Sequence, residues 1–152
     1  MKEDLIFINE SYNDCFEFLE NISDRLLDYG YVKDSFKDAI IEREKVFPTG
    51  LPVEPIGVAI PHCNSEHVNK AGIVFVKFKD DVKFVSMAGE GEVNVKIAFV
   101  LLVKEKEKQV QVLQKLMEVI SNEDILTKMY NENNNENLIN IMKEVGLRWK
   151  KL

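Results

Sequence analysis

The chain has 152 residues, 45% of them hydrophobic and 30% charged, the make-up of one ordinary globular domain that buries about 70% of its unfolded surface without disulfide or metal support. A formal net charge of −6 argues against sequence-independent binding to nucleic acid, which uses a basic face, and the basic tail Arg148-Trp149-Lys150-Lys151 is too short to reverse it. No apolar run approaches the ~20 residues that cross a bilayer, and the opening MKEDLIFINES has neither the basic start nor the long apolar stretch of a signal peptide. A cytoplasmic location is therefore expected. Cys15 and Cys63 fall on different predicted elements with no metal-type spacing, and read as free thiols of a reducing compartment.

Leu5 to Ile8 is a short apolar run that suits a first strand. From Asn13 to Tyr29 the residues Phe16, Leu19, Ile22, Leu26 and Tyr29 recur at three- and four-residue steps, an amphipathic helix that Gly30 stops. Asp34 or Ser35 can cap a second helix with Phe36, Ala39, Ile40 and Phe47 on one side, Arg43 on the same stripe and Pro48 as the stop. After a Pro-Thr-Gly turn and a proline-flanked loop come the strand Gly57-Val-Ala-Ile60, then Gly72 to Phe78 and Val82 to Val85, which read as a hairpin turning at Lys79-Asp80-Asp81. Val93 to Val103 becomes continuously apolar from Ile97, the mark of a strand buried on both faces and central in its sheet. A helix over Glu107 to Ser121 buries Val112, Leu113, Leu116, Met117 and Ile120, and two shorter helices follow, divided by an asparagine-rich loop. This order indicates a single α/β domain over residues 1–152, a mixed parallel and antiparallel sheet sandwiched by helices with an antiparallel edge pair.

The chemistry concentrates in Arg43 to His67, REKVFPTGLPVEPIGVAIPHCNSEH. Pro61 fixes its own φ and lacks a backbone donor, so it ends the GVAI strand and presents His62 from a defined turn. With an ordinary pKa of about 6.5, a histidine there is largely neutral near pH 7 and serves as a nucleophile through whichever ring nitrogen is left free.

REKVFPTG, GVAIPH and KIAFVLLVKEKEKQVQVLQKL resemble, over nearly the whole chain, the mannitol/fructose-type IIA domains of the bacterial sugar phosphotransferase system. The loop Leu51 to Ile56 and the second histidine in PHCNSEH look most like the galactitol-specific branch. The resemblance implies the same sandwich fold and a phosphocarrier whose His62 accepts a phosphoryl group on Nε2 from the phosphocarrier protein HPr. It would pass the group to a cysteine of a IIB protein, which feeds a membrane IIC permease, with no cofactor. A regulatory module that uses the phosphorylation state of His62 to control a target protein is the alternative, and specificity for a particular sugar is expected to reside in the membrane partner.

Phosphoryl transfer needs donors for three equatorial oxygens. Arg43 offers a planar guanidinium fork for phosphoryl stabilisation, or else it snorkels to solvent or pairs with a carboxylate. Gln109 lies in the first turn of the helix after the central strand, where mannitol-type relatives carry a second histidine. Glutamine donates but cannot titrate, so this departure removes a proton-shuttling role. Thr49 and Gly50 match the family's turn beside the histidine, and are equally an ordinary turn. His67 orients His62, touches the phosphoryl group, or is a polar loop residue. A Cys63 nucleophile is disfavoured because neighbours on an extended strand point to opposite faces. A zinc site of His62, Cys63 and His67 lacks a fourth ligand at recognisable spacing. No Walker or dinucleotide fingerprint occurs, so the phosphoryl donor is expected to be a protein. Leu51, Val53 and Ile56 are candidates for an apolar docking rim.

Overall fold

The structure, a computed structural model, describes residues 5–147; the basic tail lies outside the described residues. Strands β1 (Ile6–Glu10), β2 (Gly50–Leu51), β3 (Gly57–Ala59), β4 (Gly72–Val85) and β5 (Glu92–Leu102) form one sheet in the order β1-β4-β5-β3-β2. The β1/β4 and β3/β5 pairs are parallel, and β4/β5 and the edge pair β2/β3 are antiparallel. Helices α1 (Cys15–Asp28) and α2 (Phe36–Val46) belong to one apolar layer; α3 (Gln109–Ile120), α4 (Glu123–Asn131) and α5 (Asn135–Glu144) belong to the other. The expected sandwich and the central place of the last strand are both present. From Ile97 the period-2 pleat of β5 sends Ala98, Val100 and Leu102 toward α1 and α2 and Ile97, Phe99 and Leu101 toward α3, α4 and α5, and the register shift between Val95 and Ile97 puts Val93 and Val95 on the α1 and α2 side as well.

The local signals act as their chemistry requires. Asp14 accepts from the Glu17 N–H at 2.8 Å while Glu17 reaches back to the Asn13 N–H, a reciprocal cap for α1. Gly30, at φ +82°, ends that helix in the left-handed conformation glycine tolerates. Asn122 and Asn134 cap α4 and α5 with their side-chain oxygens, so asparagines near and within the asparagine-rich stretch start helices.

Three expectations need correction. The core face of α1 is Cys15, Phe18, Leu19, Ile22 and Leu26, while Phe16 and Tyr29 are exposed. Phe47 lies just past the end of α2 and is 57% exposed, and the buried stripe of that helix is Phe36, Ile40 and Glu44. No hairpin forms at Lys79-Asp80-Asp81: β4 runs unbroken to Val85, with its pairing to β5 jumping from Lys77↔Ile97 to Val82↔Val95. The three polar residues make a bulge rather than a turn, and Asp81 meets Lys96 of β5 at 2.7 Å across it. The true β4–β5 turn is 86–91, where Gly89 and Gly91 have positive φ.

One buried charge fixes a helix to the sheet. Lys77 of β4, only 6% exposed, points its ammonium at the carbonyls of Tyr130 (2.8 Å) and Glu132 and at Asn133 Oδ1 (2.9 Å). The two carbonyls are acceptors at the carboxyl end of α4, where a cation is also favoured by the helix dipole.

Candidate functional site

His62 sits just beyond the carboxyl ends of the parallel strands β3 and β5, the crevice where open α/β sheets bind ligands. Pairing of β3 stops at Ala59, but the Pro61 carbonyl still receives the Leu101 N–H from β5 at 3.0 Å, so the histidine's backbone is held at the sheet end. The ring is buried, and its Nδ1 lies 2.8 Å from the Ile60 carbonyl. A carbonyl only accepts, so Nδ1 carries the proton and Nε2 the free lone pair. Burial holds the His62 pKa below its ordinary value; the Ile60 bond opposes this and the nearby Arg43 charge adds to it. The outcome is a neutral imidazole with one defined nucleophilic nitrogen.

Arg43 emerges from the last turn of α2 beside the buried stripe. Its guanidinium carbon stands 4.5 Å from the centroid of the exposed Phe47 ring, and its charge is felt by His62, Cys63 and Glu44. Among the described residues it makes no salt bridge, and its buried Nε has no hydrogen-bond partner. A buried donor left open costs about 1–3 kcal/mol, and the charge that carries it acts on the His62 ring.

Thr49 is buried, with its N–H and hydroxyl both donating to the Glu44 carboxylate, at 2.7 and 2.8 Å. Glu44 is a site residue that the sequence reading passed over, although its four-residue step from Phe36 and Ile40 marks it for burial. Burial raises its pKa; the two Thr49 bonds and Arg43 act against the rise. Gly50, read as a turn residue, is instead in strand β2, opposite Ala59. A Cβ there would lie 2.7 Å from the Val85 carbonyl, so glycine is needed for backbone approach, and its own carbonyl accepts from the Met87 N–H.

Gln109, the first residue of α3, donates from Nε2 to the Cys63 carbonyl at 3.2 Å, fixing the segment that follows His62. A cleft of about 310 Å³ lined by Asn64, Ser65, Glu66, Lys106 and Gln109 opens there. His67 ends a single 3-10 turn, Ser65–His67; its Nδ1 is bonded to Ser35 Oγ at 2.7 Å, and its Nε2 lies 3.7 Å from Glu66. Ser35 therefore ties His67 to the start of α2 instead of capping that helix with its hydroxyl. Cys63 packs into the α1/α2 layer, and burial pushes its thiol up to about 12, which keeps it protonated and poorly nucleophilic. Of the anticipated apolar rim, Leu51 is buried in the core, while Val53 and Ile56 are half-buried against the α3, α4 and α5 layer. Val46, Phe47, Val85 and Met87 are exposed apolar side chains on the segments that flank Thr49 and Gly50. A larger cleft of about 660 Å³ between α4 and α5 contains neither histidine nor Arg43.

The galactitol-specific EIIA component of the phosphotransferase system of Escherichia coli is 31% identical over 116 residues, covering 76% of this chain and 77% of the relative. The mannitol IIA of Escherichia coli, solved in complex with phosphorylated IIB, superposes with a TM-score of 0.76 at 20% identity, over 95% of this chain and 97% of that one. The nitrogen regulatory protein IIA-Ntr of Neisseria meningitidis gives 0.75 at 22% identity, over 93% and 94%. Residues 1–145 match the family model described as phosphoenolpyruvate-dependent sugar phosphotransferase system, EIIA 2, and the chain belongs to that family of phosphotransfer components.

Proposed function

We propose that the protein is a cytoplasmic phosphocarrier that takes a phosphoryl group from HPr onto His62 Nε2 and passes it to a cysteine of a IIB protein serving a membrane IIC permease. The observation that carries this reading is the 2.8 Å bond between His62 Nδ1 and the Ile60 carbonyl. It assigns the nucleophilic lone pair to Nε2 before any partner arrives. As the Nε2–P bond forms, the P–N bond to the donor's histidine breaks and its electron pair returns to the donor ring. His62 keeps its Nδ1 proton and becomes a phosphorylated cation, so the Ile60 bond turns charge-assisted and strengthens. Attack by the IIB thiolate on phosphorus then breaks the Nε2–P bond and regenerates the neutral ring. No proton has to move at either step, which suits a site where Gln109, a group that does not titrate, takes the place of a second histidine.

Arg43 is the donor for the equatorial oxygens, a guanidinium near enough to His62 for its charge to help depress the imidazole pKa. Thr49, Gly50, Gln109 and His67 act on the segments around His62, through the contacts described above. Phe47 and Met87 offer apolar contact to partners that bind briefly. The identity to a galactitol-specific component supports galactitol or a related hexitol as the cargo of the pathway.

The test is a two-stage transfer. Protein charged by phosphoenolpyruvate, enzyme I and HPr is separated and mixed with a galactitol-type IIB. Loss of the ~80 Da adduct from His62 and its appearance on the IIB cysteine is the expected result. Retention of phosphate, with altered binding to another protein, would replace this reading with the regulatory one, and no adduct at all would remove both.

A further inference from the structure

The polar residue buried most deeply near His62 after Thr49 is Glu44, 4% exposed, at the carboxyl end of α2. That is an unfavourable place for a carboxylate, since the helix's last carbonyls already present negative charge there. What distinguishes a carboxylate from glutamine or an apolar group is a second acceptor oxygen, and here both are used: Oε2 takes the Thr49 N–H and Oε1 takes the Thr49 hydroxyl. Thr49 in turn offers its carbonyl to the Ile60 N–H at 3.3 Å, and Ile60 offers its own carbonyl to His62 Nδ1 at 2.8 Å. On the other side of Ile60, Pro61 is held by the Leu101 N–H.

We propose that Glu44 is a positioning residue for His62, which clamps Thr49 so that the Ile60 carbonyl is aimed at Nδ1 and the ring is locked with Nε2 free. The proposal rests on the reading of His62 as the phosphoryl acceptor for its consequence in transfer, though not for the lock itself. Glu44 touches neither histidine nor phosphoryl group; it acts through Thr49 and Ile60. The same clamp joins the end of α2 that carries Arg43 to the strand pair that carries His62, so stabiliser and nucleophile are set relative to one another by one carboxylate.

The experiment compares wild type with Glu44→Gln, Thr49→Val and Thr49→Ser by ¹⁵N resonances of the imidazoles in histidine-labelled protein, with thermal unfolding and the rate of phosphorylation by HPr measured on the same samples. Glu44→Gln keeps one acceptor of two, and is expected to unfold cooperatively while His62 shifts from a pure Nδ1–H form toward a mixture of tautomers and transfer slows at least about tenfold. Thr49→Val, which loses only the hydroxyl donor, should shift the resonances part of the way, and Thr49→Ser, which keeps both donors, should retain the wild-type tautomer. Should Glu44→Gln fail to fold, the Thr49 pair gives the same reading. Wild-type His62 resonances in folded Glu44→Gln or in Thr49→Val would overturn the proposal. If wild type itself takes no phosphate, the phosphocarrier reading falls, while the tautomer comparison still decides the role of Glu44.

Discussion

Replacing Arg43 with methionine is expected to leave the protein more stable and nearly inactive. The side chain keeps its apolar stem but loses a guanidinium whose Nε is buried without a partner, removing a penalty of about 1–3 kcal/mol. Against this stands the contact with the Phe47 ring at 4.5 Å, worth about 0.5–1 kcal/mol because Phe47 is largely exposed. The balance is a gain of about 1 kcal/mol, a rise in Tm of about 2–4 °C for a chain of this size. Transfer should fall about 10²- to 10³-fold, the usual loss when one preorganised donor to a developing anion is removed. The His62 pKa should rise, since the Arg43 charge helps to depress it. Differential scanning calorimetry, single-turnover phosphorylation by HPr and an NMR titration of His62 measure the three effects on one sample. A variant destabilised by more than about 1 kcal/mol, or one that transfers phosphate at the wild-type rate, would refute the argument that Arg43 is held open for an anion.

The depressed pKa of His62 has a definite sign in stability. As pH falls below the ordinary value of about 6.5 the unfolded chain takes the proton first, so this contribution is complete above that pH and is lost as pH drops toward the folded value. His62→Gln should flatten the stability profile in that window and nowhere above it, and a difference profile without slope below pH 6.5 would contradict the assignment. Lys77→Met keeps the buried stem but strips three acceptors at the end of α4 of their donor; urea unfolding should show a loss of about 2 kcal/mol, with His62 labelling intact. A loss below about 0.5 kcal/mol would mean that water replaces the ammonium there. Gly57→Ala drives a Cβ into the Asn94 carbonyl of the partner strand, so β3 must shift against β5 at a cost of about 2 kcal/mol or more, and an unchanged urea midpoint would show that the β2/β3 pair yields freely.

The site was legible where chemistry is written in local order. Pro61 after an apolar strand singled out His62 only together with the family resemblance, and Arg43 and Gln109 were named from their places relative to helix and strand with the same support. Glu44 was marked for burial by its step from Phe36 and Ile40, but its bonds to Thr49 were not readable, and Lys77 was missed because its partners lie more than 50 residues away and are mostly backbone carbonyls. The central strand announced itself by an apolar run too long for a one-sided sheet, whereas Asp80-Asp81 imitated a turn: the polar residues bulge outward, and only the continued pairing with β5 keeps the chain extended. The face of α1 was misassigned because Phe16 and Tyr29 mimic a helical stripe adjacent to the true one through Cys15, Phe18 and Ile22, and side-chain size does not say which stripe meets the sheet. Leu51, named with Val53 and Ile56 as a docking rim, is instead buried against a helical layer about 60 residues later in the chain, a contact that no local pattern displays.

The most direct test of the central claim is a long-range ¹H–¹⁵N spectrum of histidine-labelled protein before and after charging with phosphoenolpyruvate, enzyme I and HPr, alongside His62→Ala and His67→Ala. The account requires one phosphohistidine, at His62, with phosphorus on Nε2 and the proton retained on Nδ1, absent in His62→Ala and present in His67→Ala. Phosphate on Nδ1, on His67, or on neither histidine would contradict it.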